Sequence, residues 1–226
     1  MKVFYNSIKD AVRYGLADKL AILVIGGIMF LTALDHRFFD IPFHYSSILM
    51  LIVVGYGSFI SWYAINGQDK HPRLNNIKKM AWEGFKKSCI IVAYSIFLTY
   101  IGHYGKEFLS SGNYLFGIIL TVLFLLIYLM LIGGLFNRYL NNGKFLKAFD
   151  LVEIIKLLLS FDTRNFIRVL IAVVISQTFT VSVFIKIIPE IPSLELLLTF
   201  AFFFLAPFLY MANKRLVGLQ VRNLLH

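Results

Sequence analysis

The chain has 226 residues, 59% of them hydrophobic and only 15% charged, with a mean hydropathy of +0.77. Soluble domains carry about a quarter charged residues, so the composition excludes an ordinary water-soluble fold. The net charge is +10, and the one cysteine, Cys89, excludes an internal disulfide or a multi-thiolate metal site.

Six apolar segments, at about 20–34, 45–65, 88–104, 114–136, 165–185 and 194–212, predict membrane helices. Ahead of the first, residues 3–16 read as an amphipathic helix: Phe4, Ile8, Ala11, Val12 and Gly15 share a face opposite Lys2, Asn6, Lys9 and Arg13, and Asp18 marks a bend. The first span is short, so it must borrow Leu16 and Ala17, let Lys19 snorkel, or thin the bilayer locally. A cleaved signal peptide is disfavoured, because the apolar run starts only after Asp18-Lys19 and Thr32-Ala33-Leu34-Asp35 is a poor cleavage site. Beyond it, Asp40 and His44 have helical spacing, but Pro42 between them argues for a loop. These two residues, with Asp35, His36, His103 and Glu107, are read as loop residues and not as metal ligands.

The second span carries Tyr56, Ser58 and Ser61 among Gly55 and Gly57. A second amphipathic helix follows at 75–87, with Ile77, Met80, Ala81, Gly84 and Phe85 on one face, Asn76, Lys79, Glu83, Lys86 and Lys87 opposite, and Trp82 at the margin. It is expected to lie in the headgroup plane, drawn by Lys78, Lys79, Lys86 and Lys87 to anionic lipid, with the chain turning into the bilayer from Cys89. A third such helix is expected at 145–159, where Leu146, Phe149, Val152, Ile155 and Leu159 oppose Lys147, Asp150 and Glu153. The other reading of all three is as cytoplasmic helices packed on one another or on a partner. The fifth span is crowded with Ser176, Gln177, Thr178, Thr180 and Ser182, and Pro207 predicts a kink in the sixth.

Lys and Arg fall 19 on one set of alternate segments and 3 on the other, which predicts six spans with both termini in the cytoplasm. The fold class is therefore all-α: a single polytopic helical bundle of three units, each an amphipathic helix followed by two spans. Apart from Arg168 and Glu195 at helix ends, no Asp, Glu, Lys or Arg lies inside a span, which disfavours ion-coupled transport. The neutral polar residues Tyr56, Ser61, Gln177 and Thr180 read first as interhelical glue and second as the lining of a path. No phosphate loop, Ser-His-Asp pattern or HExxH motif is present.

Four segments, SIKDAVRYGLADKLAIL, GYGSFISWYAINGQDKHPRLNN, YLNNGKFLKAFDLVEIIKLL and FLYMANKRLVGLQVR, together resemble a family of multipass membrane proteins of archaea and bacteria, domain of unknown function 4013. The resemblance covers nearly the whole chain. It is similar in layout to membrane domains attached to some glycerophosphodiester phosphodiesterases, which implies anchoring or organising and not catalysis. The chain departs from the commoner family turn, with Gln68 and Asp69-Lys70-His71 before Pro72 where an acidic run is usual. The family has no established functional residues to carry over.

The expected function is that of a non-enzymatic, cofactor-free cell-membrane protein that binds lipid or assists partner membrane proteins. Lys9, Arg13, Lys78, Lys79, Trp82, Phe85, Lys86, Lys87, Lys147 and Phe149 would form its interface to anionic head groups. A membrane-protein partner or a second copy fits this role, and nucleic acid does not. The alternative is an uncoupled permease or channel subunit.

Overall fold

A computed structural model describes residues 2–38, 45–160, 167, 171 and 204–225. Every described element is helical: α1 (Lys2–Ala17), α2 (Lys19–Phe38), α3 (Tyr45–Ile65), α4 (Ile77–Ser110), α5 (Tyr114–Leu140), α6 (Leu151–Ser160) and α7 (Ala206–Leu225), with 3-10 turns at Leu74–Asn76 and Phe145–Phe149. Among the described residues, α3, α5 and the helix containing α4 are long and apolar enough to cross a membrane, and a fourth crossing is added if the bent pair α1–α2 is one span. The predicted fifth span and the first part of the sixth lie outside the described residues.

The chain forms two compact units, one of residues 1–85 with 161–226 and one of residues 86–160. In the first, α1 and α2 meet at 81°. Asp18 makes this break. Its Oδ1 accepts the Ala21 N–H at 2.9 Å, so the carboxylate caps α2 and stops α1 from continuing. The core gathers Tyr14, Ala21, Ile22, Ile25, Met29, Val53, Tyr56, Ile60, Met80, Ala206 and Met211. α7 packs along both α3 and α1. It seats on α3 because Gly57 and Gly218 leave room, a Cβ at Gly57 colliding with the Tyr210 hydroxyl and one at Gly218 lying 2.6 Å from the Ser61 carbonyl oxygen.

α3 and the start of α4 cross backbone to backbone. A Cβ on Gly55 would fall on the Met80 carbonyl oxygen, and one on Gly84 on the Leu51 carbonyl oxygen. This is the close approach that small residues permit between packed helices. The turn expected at Cys89 is absent. Nothing between Lys87 and Ile90 breaks a helix, so α4 runs unbroken for 34 residues, about 50 Å. The segment 75–87 thus continues along the axis of the following helix instead of forming a separate one. Pro207 sits in the first turn of α7, next to a π-helical step at residues 204–205, a local change of winding of the kind a proline imposes.

In the second unit, α5 ends on the Asn-Gly turn 141–144. Asn142 and Gly143 take φ of 55° and 75°, and the Lys144 N–H reaches the Asn141 carbonyl at 3.2 Å. Asn-Gly is the pair that tolerates two successive left-handed residues. The turn leads into the 3-10 segment and α6, which fold back on α5 where Gly133 and Gly134 leave space for Ile154, Leu158 and the Ala148 carbonyl. The predicted helix at 145–159 is therefore two pieces, divided at Asp150.

Candidate functional site

Each of the three basic amphipathic segments buries part of its apolar face and leaves part uncovered. On α1 the small face Ser7, Ala11, Tyr14 and Gly15 is buried. Tyr5, Ile8, Val12 and Leu16 stand exposed beside exposed Lys9 and Arg13. At the start of α4, Met80 and Gly84 are buried against α3, while Ile77, Trp82 (57% exposed) and Phe85 are open. Trp82 and Phe85 stack at 5.6 Å. Lys78 and Lys79 are exposed, with Lys79 Nζ 5.6 Å from the Phe59 ring centroid. On the third segment Ile154 is buried, and Leu146, Phe149, Val152, Ile155 and Leu159 are exposed.

Two of the expected interface cations are engaged within the protein itself. Lys87 is only 7% exposed, its ammonium 6.0 Å from the Tyr139 ring, where the sequence places it on the open basic face. Lys147 is spent inside its own segment, bonded to Asp150 Oδ2 at 3.0 Å and paired with Glu153. These bonds hold its pKa above the usual lysine range, the Glu153 contact first, and hold both carboxylates below theirs. Asn137 completes the group, its amide donating to the Lys147 carbonyl at 2.8 Å and to Glu153 Oε2 at 3.1 Å. Lys86 is half-buried, and Phe149 stacks on Tyr94 at 5.7 Å.

Two of the polar residues expected in the second span are buried. Tyr56 is fully buried in the core, and Ser61 is 3% exposed with its hydroxyl donating to the Lys214 carbonyl at 3.1 Å. Gln177 and Thr180 lie outside the described residues.

A cluster that the sequence does not signal ties α1, the loop after α3 and α7 together. Arg215, 2% exposed, donates through Nε to Asp10 Oδ2 at 3.0 Å, through Nη1 to the Gln68 carbonyl at 2.6 Å, and through Nη2 to Asp69. Its guanidinium lies 4.7 Å from the Tyr14 ring centroid. Tyr14 donates its hydroxyl to the Lys70 carbonyl at 3.0 Å and stacks on His71 at 3.9 Å. The one hint in the sequence is Asp10, the only acid among Lys2, Lys9 and Arg13.

Among the described residues no three His, Cys, Asp or Glu side chains converge on a metal-sized site. No curated protein and no solved structure matches the chain. A family model does match, over residues 43–212. It leaves out α1, α2 and most of α7, so it is shorter than the near-complete resemblance expected, and of the Arg215 cluster only the loop residues fall within it. Since the matched stretch is well over half of the sequence, the chain belongs to that family, the proteins of unknown function DUF4013.

Proposed function

We propose that this chain is a non-catalytic polytopic membrane protein that binds anionic lipid at its basic helix ends and so organises the bilayer around partner membrane proteins. The observation that carries the reading is the threefold recurrence of an uncovered apolar strip on a basic segment: Tyr5 to Leu16, Ile77 to Phe85, and Leu146 to Leu159. Such strips are unfavourable in water and stable at the boundary of headgroup and acyl chain. The exposed shaft of α5, with Leu115, Phe116, Ile118, Ile119, Val122, Leu125 and Leu126, belongs deeper, in hydrocarbon.

The expected topology is six crossings with both ends cytoplasmic. It is supported by the packing of α1 on α7, where Arg215 meets Asp10 and Asn223 reaches Ser7 at 3.4 Å. End helices that lie on one side of the membrane fit an even number of crossings between them.

Native mass spectrometry of the purified protein tests the reading. With Lys78, Lys79 and Lys86 all changed to Gln, retained anionic lipid is expected to fall by about tenfold or more, since a lysine near an anionic surface contributes about 1 kcal/mol. An unchanged lipid profile and an unchanged set of co-purifying membrane proteins refute it.

A further inference from the structure

The junction of α1, α2 and the loop after α3 holds a histidine in a setting that the lipid-binding reading does not use. His71 lies flat on the Tyr14 ring at 3.9 Å, and its Nδ1 is buried without a hydrogen-bond partner among the described residues. The nearest anion is Asp18, whose Oδ2 is 3.9 Å from Nδ1, too far for a direct hydrogen bond. Asp18 already spends Oδ1 on the cap of α2. The buried Tyr56 hydroxyl, without a well-formed hydrogen bond of its own, faces the same carboxylate. From α7, Arg215 places a fixed positive charge over the Tyr14 ring on which His71 stacks.

We propose that His71 is a proton-operated latch: neutral, it seats the loop of residues 66–73 on the α1–α2 bend, and protonated, it unseats it. The geometry sets the direction. An imidazolium needs a solvated or accepted proton on each ring nitrogen, but Nδ1 is closed in and Arg215 stands nearby. Asp18 pulls the other way but is held off by its distance and by its capping bond. Burial is the larger influence, with Arg215 added to it, and the two outweigh Asp18, so the His71 pKa lies below the ordinary histidine value.

The sign follows by linkage. The unfolded or unseated loop binds the proton more readily than the seated loop. The latch therefore contributes its full stability above about pH 6.5 and loses it as pH falls toward the lower folded pKa. What it controls is whether α1, with its uncovered apolar strip, stays clamped by the loop through Tyr14 and through Arg215.

Hydrogen exchange of the full chain in nonionic detergent, corrected for the intrinsic rate, tests this between about pH 7.5 and about pH 5. Protection of residues 66–73 and of the α1–α2 bend is expected to fall severalfold on acidification. His71→Phe keeps the ring stack and cannot protonate, so its exchange should be flat across the range. A flat wild type, or a His71→Phe protein with the wild-type pH dependence, overturns the proposal. Should His71→Phe fail to fold, Asp18→Asn serves instead. Asparagine still caps α2, but without the carboxylate the midpoint moves to lower pH, and a midpoint that stays or rises overturns the latch.

Discussion

The two compact units end a long helix with an Asn-Gly pair, and both bury an arginine against the turn that follows, but the arginines have different origins. In the second unit Arg138 belongs to α5 itself and donates from Nε to the Gly143 carbonyl five residues on, at 3.2 Å. In the first, α3 ends with Gly67 at a φ of 71° and the Gln68 N–H reaching back to the Tyr63 carbonyl at 2.8 Å, and the arginine arrives from α7, 147 residues later. The second unit is one continuous stretch of chain closed by local contacts. The first is closed only when the last helix returns to the first. Similar turn chemistry thus serves a local cap in one case and a long-range clasp in the other.

The comparison breaks most severely at the glycines. Gly84→Ala puts a methyl group onto the Leu51 carbonyl, and Gly55→Ala does the same to Met80, where backbone meets backbone and neither rod can yield. Each is expected to destabilise the first unit by about 3 kcal/mol or more, read as loss of monodisperse protein and a large drop in thermal midpoint. Gly134→Ala in the second unit meets the Ala148 carbonyl on a short 3-10 segment that can shift, so about 1–2 kcal/mol is expected there. Equal effects would mean that the α3–α4 crossing is no tighter than the α5 fold-back.

Arg215→Met comes next. It removes three hydrogen bonds and strands two carboxylates, but Asp10 and Asp69 are 45% and 85% exposed and rehydrate, so the cost is about 2 kcal/mol and not the larger penalty of a sealed pair. Limited proteolysis should show new cleavage in α1 and the loop of residues 66–73 while residues 86–160 stay protected. Tyr94→Phe is the counterpart in the second unit. It keeps the stack on Phe149 and loses only the 2.9 Å bond to the Ala148 carbonyl, for about 1 kcal/mol.

This contrast also marks what the sequence makes legible. Local signals are readable: Asp18 as a helix break, and the apolar runs that become α3, α4 and α5. So is the use of glycine for close approach, because a missing side chain has one main use in a membrane helix. The continuity of α4 through Lys87 is less legible, because a basic amphipathic pattern looks the same whether the helix lies flat or runs straight on. The clasp is not legible at all. Arg215 reads as one more cation on a basic tail, and its partners Asp10 and Asp69 read as isolated acids, since pairing across some 150 to 200 residues leaves no periodicity to find. Lys87 hides for a related reason: its burial depends on Tyr139, in a different helix.

Acid and salt should separate the units with the smallest effects. The first answers through His71, below about pH 6.5. The second answers through Asp150 and Glu153, whose pKa values are lowered first by the hydrogen bond of each to Lys147. Their contribution is complete above the ordinary carboxylate range near pH 4 and is lost only as pH falls below it. Lys147, raised by the same bonds, loses its share only in strong alkali. All three are open to water, so added salt should weaken the group. Carboxyl titration by NMR should therefore find both midpoints below the usual values, moving upward with salt or with Lys147→Met. Amide exchange at residues 66–73 should ignore that substitution. A change at Lys147 that altered the acid response of the first unit would show that the two turns are not independently closed.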